Sequence, residues 1–152
     1  MITFQVEIFS DLVPEMQELF KEHWEEIANY KDKFPLNPRY DQYRLLDNAK
    51  LLHTMTARED GKIIGYCVFI VMPHMHYQDC LFAMNDVIFV SKKYRHGSVG
   101  TKLLMFAKEE LTKLGVDRAC LHVKVNHDFS PLLERLGFTK TEYNYEILLK
   151  GA

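Results

Sequence analysis

Apolar and polar positions change their spacing several times along the chain, and each change marks an element. From Ile2 to Phe9 they alternate, the period-two signature of a strand with one face buried. Ser10 or Asp11 can cap the helix that follows, and Pro14 falls in its first turn, where proline is tolerated. Leu12, Met16, Leu19, Phe20, Trp24 and Ile27 then recur three or four residues apart and form one apolar face. Glu15, Glu18, Glu22 and Glu26 fall largely opposite it. They read as a solvated helix face, or as an acidic stripe that attracts a cationic amine. Phe34 to Arg39 holds two prolines and breaks the pattern, and Asn37-Pro38 can open a short second helix through Leu46.

Strand spacing returns at Leu51 to Ala57. Asp60-Gly61 is a hairpin turn signal. Ile63 to Met72 is almost continuously apolar, which predicts a strand covered on both faces. Pro73 to Asp79 reads as a polar, histidine-bearing loop, and Leu81 to Val90 as the next strand. Val99, Leu103, Leu104, Phe106, Ala107, Leu111 and Leu114 predict a helix over Ser98 to Leu114, supported by Glu109 and Lys113 and stopped by Gly115. Arg118 to Val125 reads as a strand, Ser130 to Leu136 as a short helix, and Phe138 to Leu149 as a final strand or hairpin. The order β-α-α-β-β-β-α-β-α-β predicts one α/β (α+β) domain over 1–152, with helices on both faces of a mixed sheet.

Composition mainly excludes. A hydrophobic content of 47% supports a real core, and a net charge of −2 supplies no basic field for nucleic acid. No apolar run is long enough for a membrane span, and the first residues lack a basic-then-apolar leader. Cys67, Cys80 and Cys120 are odd in number and widely spaced, which predicts buried thiols in a reduced, cytoplasmic protein.

Chemistry concentrates after Val90. Tyr94-Arg95-His96-Gly97-Ser98-Val99-Gly100, followed by Thr101, lies between a strand and a helix start. That arrangement aims free N–H groups and the helix dipole at one point, an anion site. Gly97 and Gly100 let the backbone approach a ligand, and Arg95 adds a fork suited to phosphate. The spacing fits neither a Walker loop nor a dinucleotide fingerprint, so a plain turn is the alternative. Asp86 interrupts an apolar strand, where a carboxylate needs a partner or solvent. Alternation puts it on the face of Met84 and Ile88. It is either a catalytic carboxylate or a structural one. His74 and His76 form an H-x-H pair near Asp79 and Cys80, but no third ligand is evident and no metal is expected.

The run V-x-x-x-Y-R-x-x-x-x-G after a strand resembles motif A of the GNAT superfamily, the acyl-CoA-dependent N-acetyltransferases, usually (Q/R)-x-x-G-x-(G/A). Arg95 matches its first position and Gly100 its last, while Ser98 stands at the middle glycine and Gly97 lies one residue early. Leu121 to Asn126 and Leu132-Leu-Glu-Arg-Leu-Gly-Phe138 resemble the closing motif. Pro73 to Tyr77 and His127 to Pro131 resemble a phage-type subset.

The resemblance implies a mostly antiparallel sheet with a splayed strand pair at an acetyl-CoA site. Ile88, Phe89 and Val90 would hold the pantetheine arm through main chain. Arg95, His96, Gly97, Ser98, Val99, Gly100 and Thr101 would hold the diphosphate. Asn126 would touch the cofactor or cap its turn. Asp86 would take the proton of the attacking amine, and His74, His76 and Tyr77 would read the substrate. The acceptor would be a small-molecule amine or a protein lysine, attacked directly in a ternary complex, and the protein could be a homodimer. The family's frequent general acid, a Tyr seven residues after the motif Asn, is Leu133 here. Tyr143, Tyr145 or His127 could replace it. Otherwise the chain is a weak or inactive GNAT-fold protein that binds CoA and acts as a regulatory or inhibitory module.

Overall fold

The structure is a computed structural model and describes residues 1–150. Its elements are β1 (Ile2–Glu7), α1 (Phe9–Ile27), α2 (Tyr40–Asn48), β2 (Leu52–Glu59), β3 (Lys62–His74), β4 (Tyr77–Val90), a 3-10 turn (Lys92–Tyr94), α3 (Val99–Lys113), β5 (Arg118–Cys120) and α4 (Ser130–Arg135). The sheet runs β1-β2-β3-β4-β5. Every neighbour pair is antiparallel except β4 and β5, which are parallel. This is the mixed, mostly antiparallel sheet expected, with helices on both faces.

The two faces bury different helices. Phe9, Leu12, Met16, Leu19 and Phe20 of α1 pack on Tyr66, Val68 and Phe89. Val99, Leu103, Ala107 and Leu111 of α3 pack on Met55, Cys67, Phe69 and Ala83 from the other side. Each such side chain removed from water stabilises the fold by roughly 1.5–3 kcal/mol. β2 and β3 are joined through Asp60 and Gly61, both with positive φ (47° and 88°), as a two-residue type I′ turn needs.

Several boundaries differ from the sequence pattern for local reasons. Neither Ser10 nor Asp11 caps α1, whose cap position is Ile8. The Ser10 amide and hydroxyl instead both donate to Asp47 Oδ2, at 2.9 and 2.5 Å, and tie α1 to α2. The second helix begins at Tyr40, after both prolines. Pro73 to Asp79 is not a loop, because β3 and β4 pair as far as His74 and Tyr77 and leave a two-residue tip. The strand expected over Arg118 to Val125 stops at Cys120, since only Phe82–Met84 pair with Arg118–Cys120. Phe138 to Leu149 forms neither strand nor hairpin. Its Tyr143, Tyr145, Ile147 and Leu149 alternate as a strand would, yet all are exposed. A strand needs a continuous edge, and β5 offers only three residues.

A register shift between β3 and β4 changes which side chains share a face. In β4, Val68 and Phe69 face Val87 and Asn85, so Asp86 has no opposite residue. This is a β-bulge, which bends the strand and re-aims its side chains. Ala83 therefore belongs to the α3 face, while Val87 and Phe89 belong to the α1 face.

Candidate active site

β4 and β5 part just before the bulge. The last paired residues are Met84 and Cys120. Next, buried Asn85 accepts the His122 N–H on Oδ1 at 2.7 Å, and beyond it Asp86 to Val90 lie in β4 with only β3 beside them. Ladder alternation fixes which main-chain groups face the gap. Ser91 N–H donates to Ile64 O at 2.8 Å, so Phe89 and Val87 bond towards β3, while Ile88 and Val90 direct theirs into the opening. Ile88 and Val90 thus present main-chain groups to the gap, although the Val90 carbonyl already accepts the Arg95 Nε–H. Phe89 does not: its main chain faces β3, and its buried ring stacks on His23 with centroids 4.5 Å apart.

The loop beyond β4 is clamped from three directions. Ser91 Oγ donates to Glu22 at 3.0 Å, and Lys92 N–H to Glu22 at 2.9 Å. Tyr94 OH donates to Glu59 at 2.7 Å. Arg95 forms a two-pronged ion pair with Glu26, donates from Nε to Val90 O at 2.8 Å, and lies over the Phe89 ring. Glu15 meanwhile pairs with Arg58, which also holds Glu7. Three of the four glutamates in the stripe therefore tie α1 to the sheet or to the loop after β4, and are not a solvated face or a free acidic stripe. Their spacing suits this use because each points down the same helix side.

Past Arg95 the chain opens. Among the described residues, the N–H groups of His96 to Thr101 meet no acceptor. A Cβ built on Gly97 or on Gly100 would meet nothing within 4 Å. Val99 is buried and anchors the first turn of α3, so it offers only main chain. Gly97, His96 and Ser98 are exposed around it. The resulting pocket of donors sits at a helix N-terminus, which favours an anion. Asn126 is exposed in the turn closed by His127 N–H on Lys124 O, at 3.1 Å.

On the other side of β4 lies a cleft of about 930 Å³, between α1, the segment leading to α2, and residues Glu146 to Lys150. Asp86 adjoins it. The bulge leaves Asp86 on the side of Met84, and Ile88 on the opposite one, which corrects simple alternation. There the Tyr43 hydroxyl, from α2, donates to Asp86 Oδ2 at 2.5 Å, and the carboxylate is otherwise exposed. Burial first, then the bond to Asp86 and its charge, raise the Tyr43 hydroxyl far above an ordinary phenol. The floor holds a second pair, His23 Nδ1 and Tyr66 OH, hydrogen-bonded at 2.6 Å. Burial pushes the His23 imidazole down to about 4, helped by the charges of Lys124 and Arg95 and opposed by Glu26. It is neutral at pH 7. Burial likewise raises Tyr66, which stays protonated.

His23, Tyr43 and Tyr66 were not singled out in the sequence. His23 sat within the apolar stripe of α1, three residues after Phe20, and Tyr66 was the lone hydroxyl in a continuous apolar strand. Those mismatches were the available signal.

His74, His76 and Tyr77 are not brought to this cleft. They cluster at the β3–β4 tip, His74 with ring centroids 5.6 Å from His76 and 5.1 Å from Tyr77. Tyr66 and His74 are eight positions apart on β3, roughly 25 Å at strand rise. Among the described residues no group of three or more His, Cys, Asp or Glu gathers as a metal site. Leu133 is buried in α4, and Tyr143 and Tyr145 project into solvent. Cys67 is buried and its thiol is pushed up by that burial, so it is no nucleophile. No helix among the described residues is long and apolar enough to cross a membrane.

Residues 13–138 match the acetyltransferase (GNAT) family. No curated protein matches the chain. Among solved structures, the chain is similar to an aminoglycoside acetyltransferase, HMB0005, from an uncultured soil metagenomic sample, at 17% identity, with 99% of both chains covered and a TM-score of 0.76. It is similar to the ribosomal-protein-alanine N-acetyltransferase of Brucella melitensis biovar Abortus 2308 at 16% identity, covering 96% of this chain and 99% of that one, with a TM-score of 0.71. A predicted acetyltransferase with acetyl-CoA from Clostridium acetobutylicum gives 16% identity, 98% and 97% coverage and a TM-score of 0.68. At these identities the likeness is one of fold.

Proposed function

The chain belongs to the acetyltransferase (GNAT) family, and on that premise we propose that it moves an acetyl group from acetyl-CoA to a primary amine within a ternary complex. The observation that carries this reading is the juxtaposition at β4. The unpaired edge and the open donor loop lie at one end of the strand, and a carboxylate beside a cleft lies at its bulge.

The residues present fit acetyl-CoA. The main-chain groups of Ile88 and Val90 would hold the pantetheine arm. The N–H groups of His96, Gly97, Ser98, Val99, Gly100 and Thr101 would take the diphosphate, and the space beside Gly97 and Gly100 lets it approach. Arg95 would lend positive charge from beside the loop while Glu26 keeps it in place, and Asn126 would close the opposite rim. When bound, acetyl-CoA supplies an activated thioester, whose C–S bond breaks as the N–C bond forms and whose electron pair leaves on sulfur.

The amine is the harder partner to prepare. A lysine-like amine with a pKa near 10.4 is neutral only about once in 2,500 molecules at pH 7, a cost of about 4.6 kcal/mol. Asp86 answers this. Tyr43 fixes one carboxylate oxygen, and the other can bind the ammonium and accept its proton. Tyr43 is a positioning residue, because its raised pKa makes it a poor acid. The neutral His23–Tyr66 pair adds polarity to the cleft floor without charge. A thiolate is a good leaving group at neutral pH, so a buried Leu133 is compatible with turnover.

The test is a thiol-release assay with acetyl-CoA and a panel of primary amines. The wild type should turn over at least one amine. Asp86→Asn should lower kcat by about 10²–10⁴-fold with little change in the KM for acetyl-CoA. No release with any amine would remove the reading. An unchanged pH–rate profile in Asp86→Asn would remove Asp86 as the base.

A further inference from the structure

Resting on the acyl-transfer reading above, we propose that the acceptor is a primary amine on an aromatic or bulky apolar body, an aralkyl amine, and not a polycation. The cleft beside Asp86 is of small-molecule size. Its walls are rings: Phe9, Phe20, Trp24, Tyr43 and, towards the mouth, Tyr30 and Phe34. The inner rings are fixed against one another, Phe9 on Tyr43 at 4.3 Å and Phe20 edge-on to Tyr66 at 5.5 Å.

The mouth is built too. Tyr30 adopts φ 56°, a left-handed conformation that a bulky residue rarely holds without reason. Lys33 and Phe34 N–H groups both donate to its carbonyl at 2.9 Å, and its ring meets Phe34 in a T-shaped pair. Tyr30 and Phe34 nonetheless remain 39% and 55% exposed, so this aromatic surface is presented to the cleft and to solvent instead of being spent in the core.

Charge decides against a polyamine. The charged residues lining the cleft are Lys124, Glu146 and Lys150, two cations to one carboxylate. The α1 glutamates that might have added negative charge are committed elsewhere, Glu22 to Ser91 and Lys92, and Glu26 to Arg95. Asp86 therefore complements a single ammonium. A second or third ammonium would lie on rings near Lys124 and Lys150, where cation–π attraction at an exposed site is weak. An apolar body instead gains wherever it covers ring surface.

Trp24 is the only tryptophan and lines this cleft, so its fluorescence reports occupancy without turnover. The experiment titrates 2-phenylethylamine, spermidine, an aminoglycoside and a lysyl peptide into the CoA-saturated protein, with CoA binding measured separately by calorimetry. We expect phenylethylamine to shift Trp24 emission saturably and at least tenfold more tightly than the others. Phe34→Ala should weaken it about three- to tenfold, the value of one ring contact, while CoA affinity is unchanged. CoA binding with no saturable phenylethylamine response, or with tighter binding of spermidine, the aminoglycoside or the peptide, overturns this inference alone. Absence of CoA binding overturns the acyl-transfer reading beneath it.

Discussion

His23 should make the protein acid-sensitive in a window that can be calculated. Its imidazole lies between the Tyr66 hydroxyl and the Phe89 ring, mostly out of water, and its pKa falls from 6.5 to about 4 on folding. A depressed pKa means that the unfolded chain binds the proton more readily. The folded state therefore keeps full stability above pH 6.5 and loses it as the pH falls towards 4. With those two values, the loss relative to pH 8 is under about 1 kcal/mol at pH 6, about 2 at pH 5 and about 3 at pH 4. His23→Gln can still accept a bond from Tyr66 but does not titrate. Urea unfolding at each pH, for wild type and His23→Gln, isolates the effect as a difference. Other groups such as His53, also held low by burial, titrate in both proteins and cancel. The variant should be less stable at pH 8 by its altered packing, yet the gap should close by about 2 kcal/mol at pH 5. Parallel curves from pH 8 to 4 would mean that the imidazole is solvated and the cleft floor wrongly described.

Other perturbations test the rest of the frame. Arg58→Ala leaves Glu7, in a half-buried place, without its partner, and should lower stability by about 2–3 kcal/mol in urea unfolding. Asn85→Leu strands the His122 N–H and should cost about 1–3 kcal/mol, with faster amide exchange at His122, which marks where β4 and β5 part. Tyr43→Phe frees the Asp86 carboxylate and should lower kcat about three- to tenfold while the KM for acetyl-CoA stays put.

Much of this architecture is written in local spacing. The α1 stripe, the α3 stripe, the Asp60-Gly61 turn and the Gly97-to-Gly100 loop are all short-range patterns, and each appears where it should. What escaped reading is long-range. The bulge at Asp86 depends on β3 opposite it, and nothing in Leu81 to Val90 announces an extra residue. The Glu22 and Glu26 ties join residues about seventy positions apart. Tyr43 reaches Asp86 from a helix whose own pattern says only that one side is apolar. At the C-terminal end the alternation from Tyr143 to Leu149 is real, but a strand forms only where another strand supplies an edge.

The central claim is that the loop before α3 holds the diphosphate of CoA on main-chain donors. Gly97→Glu tests it most directly, because Gly97 has open space beside it and no left-handed φ, so the substitution leaves the fold intact. It places a carboxylate where the diphosphate would lie. Calorimetric titration should give saturable one-to-one CoA binding to the wild type and at least tenfold weaker binding to Gly97→Glu, at an unchanged urea midpoint. Equal affinity in the two proteins would contradict the account.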